Sequence, residues 1–200
     1  MHLTKKWTLE ADGVEVHHEQ TRATERLESL GPRWGATVLE ARDAGDLWSL
    51  SGRFGRGSFP WHTDGAVSSR PPRWMVLRCT VDESSTPTEF LSLPADLLPE
   101  LSRTMVTMTG RDGRKQRFAV ATPVGGGAYK IRWDPRIGRV DSGTLEARIE
   151  ALPVTFRVPW TEGATVIVDN HRLLHRRPEV EAGKRRLLTR EYIGGANVGL

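Results

Sequence analysis

The chain has 200 residues, 38% of them hydrophobic and 27% charged, with a net charge of +4 at pH 7 and one cysteine, Cys79. That length suits one domain with a core of its own, and a lone thiol excludes an internal disulfide and any cysteine-based zinc cluster. No apolar run approaches the eighteen or so residues of a membrane span, and Met1 to Asp12 holds no apolar signal core, so a cytoplasmic chain off the membrane is expected.

The basic residues are mostly arginine, and acids interrupt them, as in Arg176-Arg177-Pro178-Glu179-Val180-Glu181. A nucleic-acid arm shows a sustained basic block, so a nucleic-acid partner is disfavoured. Cys79 reads as a small buried hydrophobe.

In chain order, a strand or arm is expected around Trp7 to Val16, then a helix from Thr21, its N-cap, to Leu30, stopped by Gly31-Pro32. Trp34 to Leu39 reads as a strand. Gly52 to Ser58, with three glycines and two arginines, reads as a mobile loop feeding Phe59-Pro60-Trp61-His62-Thr63-Asp64-Gly65. Strands are expected over Trp74 to Thr80 and Thr88 to Leu93, and a short helix over Pro94 to Ser102. Thr104 to Thr109 and Lys115 to Thr122 flank Arg111-Asp112-Gly113-Arg114 and predict a hairpin.

Gly125-Gly126-Gly127 is a break without the context of a phosphate-binding loop. Beyond it, Tyr129 to Trp133 predicts a strand, Thr144 to Ala151 a helix, and Val154 to Val158, Thr165 to Val168 and Arg185 to Ile193 further strands. Many short strands with few helices argue for a mainly β chain, a sandwich or jelly roll with peripheral helices. No repeat or linker divides residues 1–200, so one domain is expected, with elements of residues 1–50 packing on a catalytic core over 59–193.

The chemistry starts at His62 and Asp64. Residues two apart share a face of a strand, so an imidazole and a carboxylate would aim at one point, half of a metal site. The same letters also occur in turns and on solvated strands. Downstream, Val168-Asp169-Asn170-His171-Arg172-Leu173-Leu174-His175 follows an apolar strand and offers two histidines, either of which would complete a two-His, one-carboxylate triad with one side of the ion open.

Taken together, Trp61-His62-Thr63-Asp64-Gly65, the Asp169-Asn170 segment ending at His175 and the arginines after it resemble the taurine dioxygenase and clavaminate synthase-like superfamily of Fe(II)/2-oxoglutarate oxygenases, from about Phe59 to Ile193. The resemblance implies a double-stranded β-helix, with His62, Asp64 and His175 as both catalytic residues and metal ligands. His171 falls in a variable slot of the pattern.

It also implies Fe(II), 2-oxoglutarate as cosubstrate and O2. Arg186 matches the arginine that holds the cosubstrate's far carboxylate, a role suited to a planar guanidinium fork. Thr88 matches the hydroxyl donor to the same carboxylate, although Thr86 and its neighbours stand where the pattern has a glycine pair. Arg190, on the same face as Arg186 at a two-residue period, backs up the cosubstrate or meets an anionic group of the substrate.

The activity implied is hydroxylation of an unactivated C–H bond of a small acid, amino-acid-derived or natural-product substrate, with release of succinate and CO2. Asp64 argues against halogenation, because the family's halogenases lack this acid. Desaturation, cyclisation and epimerisation share the same centre and stay open, as does a non-catalytic jelly-roll module that binds metal or ligand. Arg53, Arg56, Ser58, Arg70, Arg73 and Arg132 are substrate-contact candidates for a carboxylate or phosphate, although each suits solvated surface better. An anionic substrate fits this cluster. The short stretches before His62 and between Gly138 and Pro159 leave a carrier-bound substrate, or a homo-oligomer in which a second copy covers the pocket, as further forms.

Overall fold

The computed structural model describes residues 7–41, 48–140 and 143–194. In chain order the elements are β1 (Val14–His17), α1 (Gln20–Leu30), β2 (Arg33–Glu40), α2 (Leu50–Phe54), β3 (Trp74–Asp82), β4 (Thr88–Ser92) and α3 (Leu98–Arg103). There follow β5 (Met105–Thr109), β6 (Lys115–Ala119), β7 (Ala121–Gly125), β8 (Ala128–Ile131), β9 (Gly138–Val140), α4 (Leu145–Glu150), β10 (Phe156–Val158), β11 (Thr165–Asp169), β12 (Leu173–Arg176) and β13 (Arg186–Ile193).

Two antiparallel sheets face each other as a jelly roll. The larger has the order β1-β11-β3-β13-β2 and the smaller β10-β4-β12. Alternation along the strands dictates which side chains meet. Met75, Leu77 and Cys79 of β3 and Val166 and Val168 of β11 point inward onto Phe90, Val158 and Leu173 of the smaller sheet. The residues between them, Val76 and Ile167, point outward and are covered by Leu27 of α1 and by Leu9. Each such side chain contributes roughly 1.5–3 kcal/mol on leaving water, which is why β3 and β11 read as continuous apolar runs. A second core under the site, around Trp61, Leu91, Leu101, Val106 and Ile149, is closed by the sheet β6-β5-β9 and by the β7-β8 hairpin.

Several sequence expectations are corrected. Both β1 and β2 are edge strands of the larger sheet, so the N-terminal elements are part of the roll as well as packed on it. Before β1 the chain turns, with Thr8 N–H donating to Asp12 Oδ2 at 2.9 Å, so no strand begins at Trp7. The N-cap of α1 is Glu19 without a side-chain bond, and Thr21 lies inside the first turn. The expected loop at Gly52 begins as α2, capped by Ser49 Oγ, which accepts from Gly52 N–H at 2.9 Å. The expected strand over Lys115 to Thr122 breaks at Val120, whose N–H donates to Thr104 O at 2.9 Å between β6 and β7. Among the described residues, no helix is long and apolar enough to cross a membrane.

Candidate metal centre

His62 and Asp64 do not share a face of a regular strand, contrary to the alternation argument. His62 makes one isolated bridge to β12, donating its N–H to His175 O at 3.1 Å and accepting from His175 N–H at 2.9 Å, and the chain then enters the turn that contains Asp64. The bridge places the two imidazoles side by side, with ring centroids 4.1 Å apart. Asp64 reaches back toward them because its peptide is clamped. Asn170 Oδ1 accepts from Asp64 N–H at 2.8 Å, and Asn170 Nδ2 donates to Asp64 O at 3.0 Å and to Pro72 O at 2.9 Å. Gly65 allows the turn: its φ is +65°, and a Cβ there would lie 2.9 Å from Pro72 Cδ.

The result is a convergent buried cluster. His62 Nε2 and His175 Nε2 each lie 3.8 Å from Asp64 Oδ1, and the donor atoms of the three residues all fall within 4.8 Å of one another. His62 Nδ1 donates to Pro60 O at 3.0 Å, which leaves the Nε2 lone pair pointing at the cluster. Burial pushes both imidazoles below the usual histidine range, His175 to about 3, aided there by neighbouring His62, so both are neutral near pH 7. Burial alone would raise the Asp64 carboxyl, but Arg190, His175 and His62 and the Tyr192 hydrogen bond together hold it well below the carboxylate range. Two neutral imidazoles and one carboxylate form a donor set ready for a divalent cation, with no proton to displace.

His171 is outside this cluster. Its Nε2 bonds Pro71 O at 3.2 Å, and its N–H donates to Asp169 Oδ1 at 3.0 Å.

A cavity of about 730 Å³ opens onto the three residues, and Thr88, Arg186 and Arg190 line it too. Arg186 is 5% exposed. It donates from Nε to Thr86 O at 3.2 Å and from Nη2 to Thr88 Oγ1 at 2.9 Å, and no carboxylate pairs with it among the described residues. Burial pulls its guanidinium down to about 10. An unpaired buried cation is costly unless an anion joins it. Thr88 Oγ1 also accepts from Trp160 Nε1 at 3.0 Å, so its own proton remains to be donated.

Arg190 lines the cavity and pairs with Asp64: Nη1 donates to Oδ1 at 3.3 Å and to Oδ2 at 3.2 Å. Arg53, Arg56, Ser58, Arg70 and Arg132 do not line this cavity. Arg132 is buried and turned to the carbonyls of Ala66, Ser68 and Ser69, against the Phe118 ring, and so fixes the turn after Asp64. Arg56 donates to Glu181 O and Lys184 O, Arg53 lies over Phe54 and Arg73 over Trp74, and Ser58 and Arg70 are exposed.

Three residues of the site, Asn170, Tyr192 and Arg177, have no role in the sequence pattern. Asn170 was seen as part of a pattern without a role. Tyr192, whose hydroxyl donates to Asp64 Oδ2 at 3.0 Å, lies two residues past Arg190, and carrying the two-residue period of β13 one step further points to it. Arg177, 5% exposed, also lines the cavity; its Nη2 donates to Gly55 O and Gly57 O, and its guanidinium stacks 4.0 Å from Phe59.

No curated protein sequence matches the chain. Among solved structures, AAD-2 in complex with Mn(II) and N-oxalylglycine superposes with a TM-score of 0.70 at 16% identity, over 94% of this chain and 87% of that one. The PvcB protein from Pseudomonas aeruginosa gives 0.63 at 20% identity, over 95% and 80%. An asparagine oxygenase in complex with Fe(II), 2S,3S-3-hydroxyasparagine and succinate gives 0.61 at 17% identity, over 78% and 56%. The chain thus spans little more than half the length of that oxygenase, and at these identities the likeness is one of fold.

The family model named Taurine catabolism dioxygenase TauD, TfdA family matches residues 86–192, more than half of the chain, a stretch that holds Thr88, His175, Arg186 and Arg190. With His62 and Asp64 brought to that stretch by the His175 bridge and the Asn170 clamp, the chain belongs to the TauD, TfdA family.

Proposed function

We propose that the protein is an Fe(II)- and 2-oxoglutarate-dependent dioxygenase that oxidises a C–H bond of a small molecule, consuming O2 and releasing succinate and CO2. The observation that carries this reading is one cavity holding two complementary sites: the His62, Asp64 and His175 donors, and the buried Arg186 guanidinium, which no carboxylate meets at ion-pair distance among the described residues. The donor set fits iron, and His62, Asp64 and His175 would hold it; when bound, iron supplies the O2 chemistry that no side chain can.

The chain's own residues do the positioning. Arg186 binds the far carboxylate of 2-oxoglutarate by charge-assisted hydrogen bonds. Thr88 gives its hydroxyl proton to the same carboxylate, having accepted from Arg186 and Trp160. Trp160, 5% exposed, and Leu188, 1% exposed, keep water from that end of the cavity.

For the substrate we favour an amino acid or related small acid. The asparagine oxygenase carries a hydroxylated amino acid, as does the oxygenase OrfP, seen with (3S)-hydroxy-L-Arg. Arg177, buried in the same cavity without a carboxylate partner among the described residues, supports an anionic group on the substrate. A cytoplasmic location belongs to the same proposal.

The test is succinate formation from the purified chain with Fe(II), 2-oxoglutarate, O2 and a panel of free L-amino acids and small acids, with the same groups attached to carrier proteins as a second arm. Substrate-dependent succinate is expected with a free acid. Turnover of carrier-bound forms alone would change the substrate class, and product analysis separates hydroxylation from desaturation, cyclisation or epimerisation. No succinate with any substrate contradicts the reading.

A further inference from the structure

The two oxygens of Asp64 have different surroundings. Oδ1 is the atom that lies 3.8 Å from both imidazole Nε2 atoms. Arg190 Nη1 is shared between the two oxygens, at 3.3 Å from Oδ1 and 3.2 Å from Oδ2, so what sets Oδ2 apart is the Tyr192 hydroxyl, which donates to it at 3.0 Å. Tyr192 has little freedom to do otherwise. It is 1% exposed, and its ring lies 5.0 Å from that of Trp34. The ring also rests against Gly35, where a Cβ would come within 3.2 Å of Cδ2. Gly35 sits at φ +68°, and the pairing of β2 with β13 shifts register between Arg190 and Tyr192. An irregularity in an edge strand that re-aims a side chain is a common feature beside active sites.

We propose that Tyr192 is a positioning residue that keeps Asp64 a one-oxygen ligand, an inference that rests on the functional reading above. The Tyr192 hydroxyl occupies Oδ2 alone, which leaves Oδ1, the oxygen 3.8 Å from both imidazole Nε2 atoms, as the one to offer. With the two imidazoles, His62, Asp64 and His175 would then hold an ion through three protein atoms, which would leave it positions for a chelating 2-oxo acid. If Oδ2 were released, it would compete for one of those positions. Tyr192 therefore acts on cosubstrate chelation more than on the hold on the metal, whereas a purely structural tyrosine would affect fold stability and metal affinity together.

The experiment uses the full chain and Tyr192→Phe, with metal-free melting temperature as the check on folding. Infrared difference spectra, Mn(II)-loaded minus metal-free, read the splitting between the antisymmetric and symmetric carboxylate stretches, which is wider for one-oxygen than for two-oxygen ligation. Anaerobic titration of the Fe(II) form with 2-oxoglutarate reads chelation. Wild type is expected to give the wide splitting. Tyr192→Phe is expected to narrow it and to weaken 2-oxoglutarate binding about tenfold, with Mn(II) affinity within about threefold, at the low end of effects seen for groups behind metal ligands. An unchanged splitting together with unchanged 2-oxoglutarate affinity in the variant overturns the proposal. So does a narrow splitting in wild type, which decides the matter even if the variant does not fold. A wild-type chain that binds neither metal nor 2-oxoglutarate would instead sink the functional reading.

Discussion

Asn170 brackets the peptide unit of Asp64, accepting from its N–H at 2.8 Å and donating to its carbonyl at 3.0 Å. The residue after a buried strand thus fixes the backbone of a metal-ligand candidate more than a hundred positions earlier in the chain. Asn170→Ala would leave three buried backbone groups, including Pro72 O, without this partner. We expect a loss of about 3 kcal/mol of stability and a clear fall in metal affinity, measured by urea unfolding of the metal-free protein and by Mn(II) titration.

On the proposed function, changes at Arg186 and Thr88 should separate binding of cosubstrate from binding of metal. Arg186→Met removes the charge proposed to hold the far carboxylate and is expected to weaken 2-oxoglutarate about 100-fold, in line with the loss of a charged hydrogen-bonding partner. Thr88→Val is expected to cost roughly tenfold by the same reasoning. Mn(II) affinity should stay near wild type in both, and a parallel loss of metal binding would count against the assignment.

Glu89 ties the two ends of the site together. It is directly opposite Arg176 in the β4-β12 pairing, accepts from Arg176 Nε at 2.7 Å and from Arg157 Nε at 2.8 Å, and is the neighbour of Thr88 as Arg176 is of His175. Arg157 is largely exposed and adds little. Arg176 is stacked over Trp61 and would lose its best-buried partner. Arg176 keeps Glu150 Oε2 at 3.2 Å, so Glu89→Ala is expected to cost about 2 kcal/mol and to weaken 2-oxoglutarate as well, measured by thermal melts and anaerobic titration.

Acid should destabilise the metal-free protein through its buried histidines. Burial holds His171 at about 4 and His175 at about 3, below the value of about 6.5 expected for the unfolded chain. Below pH of about 6.5 the unfolded chain therefore binds protons that the folded one does not, so stability present above that pH is lost as the pH falls toward 4 and then 3. Urea unfolding between about pH 7.5 and pH 4.5 should show this slope. His171→Asn should reduce it by close to one proton, and an unchanged slope would contradict the burial argument.

The jelly roll was legible because its signals are local. The apolar runs of β3 and β11 are inside on one face and under α1 on the other, and the glycine- and proline-rich turns fall between strands. The ligand candidates were legible through a resemblance, and alternation along one strand is not what brings them together. Asp64 is aimed by a distant amide, which no spacing rule encodes. The arginines show the same limit: sequence cannot tell Arg186, whose charge stays unpaired in the cavity, from Arg132, whose charge is spent on the carbonyls of Ala66 and Ser69. That difference is set by which backbone the fold brings near.

The most direct measurement is the visible spectrum of the anaerobic protein on adding Fe(II) and then 2-oxoglutarate. The account predicts a weak charge-transfer band from the chelated complex in wild type, absent in His175→Ala, kept in His171→Ala, and shifted to much higher 2-oxoglutarate concentration in Arg186→Met. A wild-type protein that gives no band, or a band unaffected by His175→Ala, would contradict it.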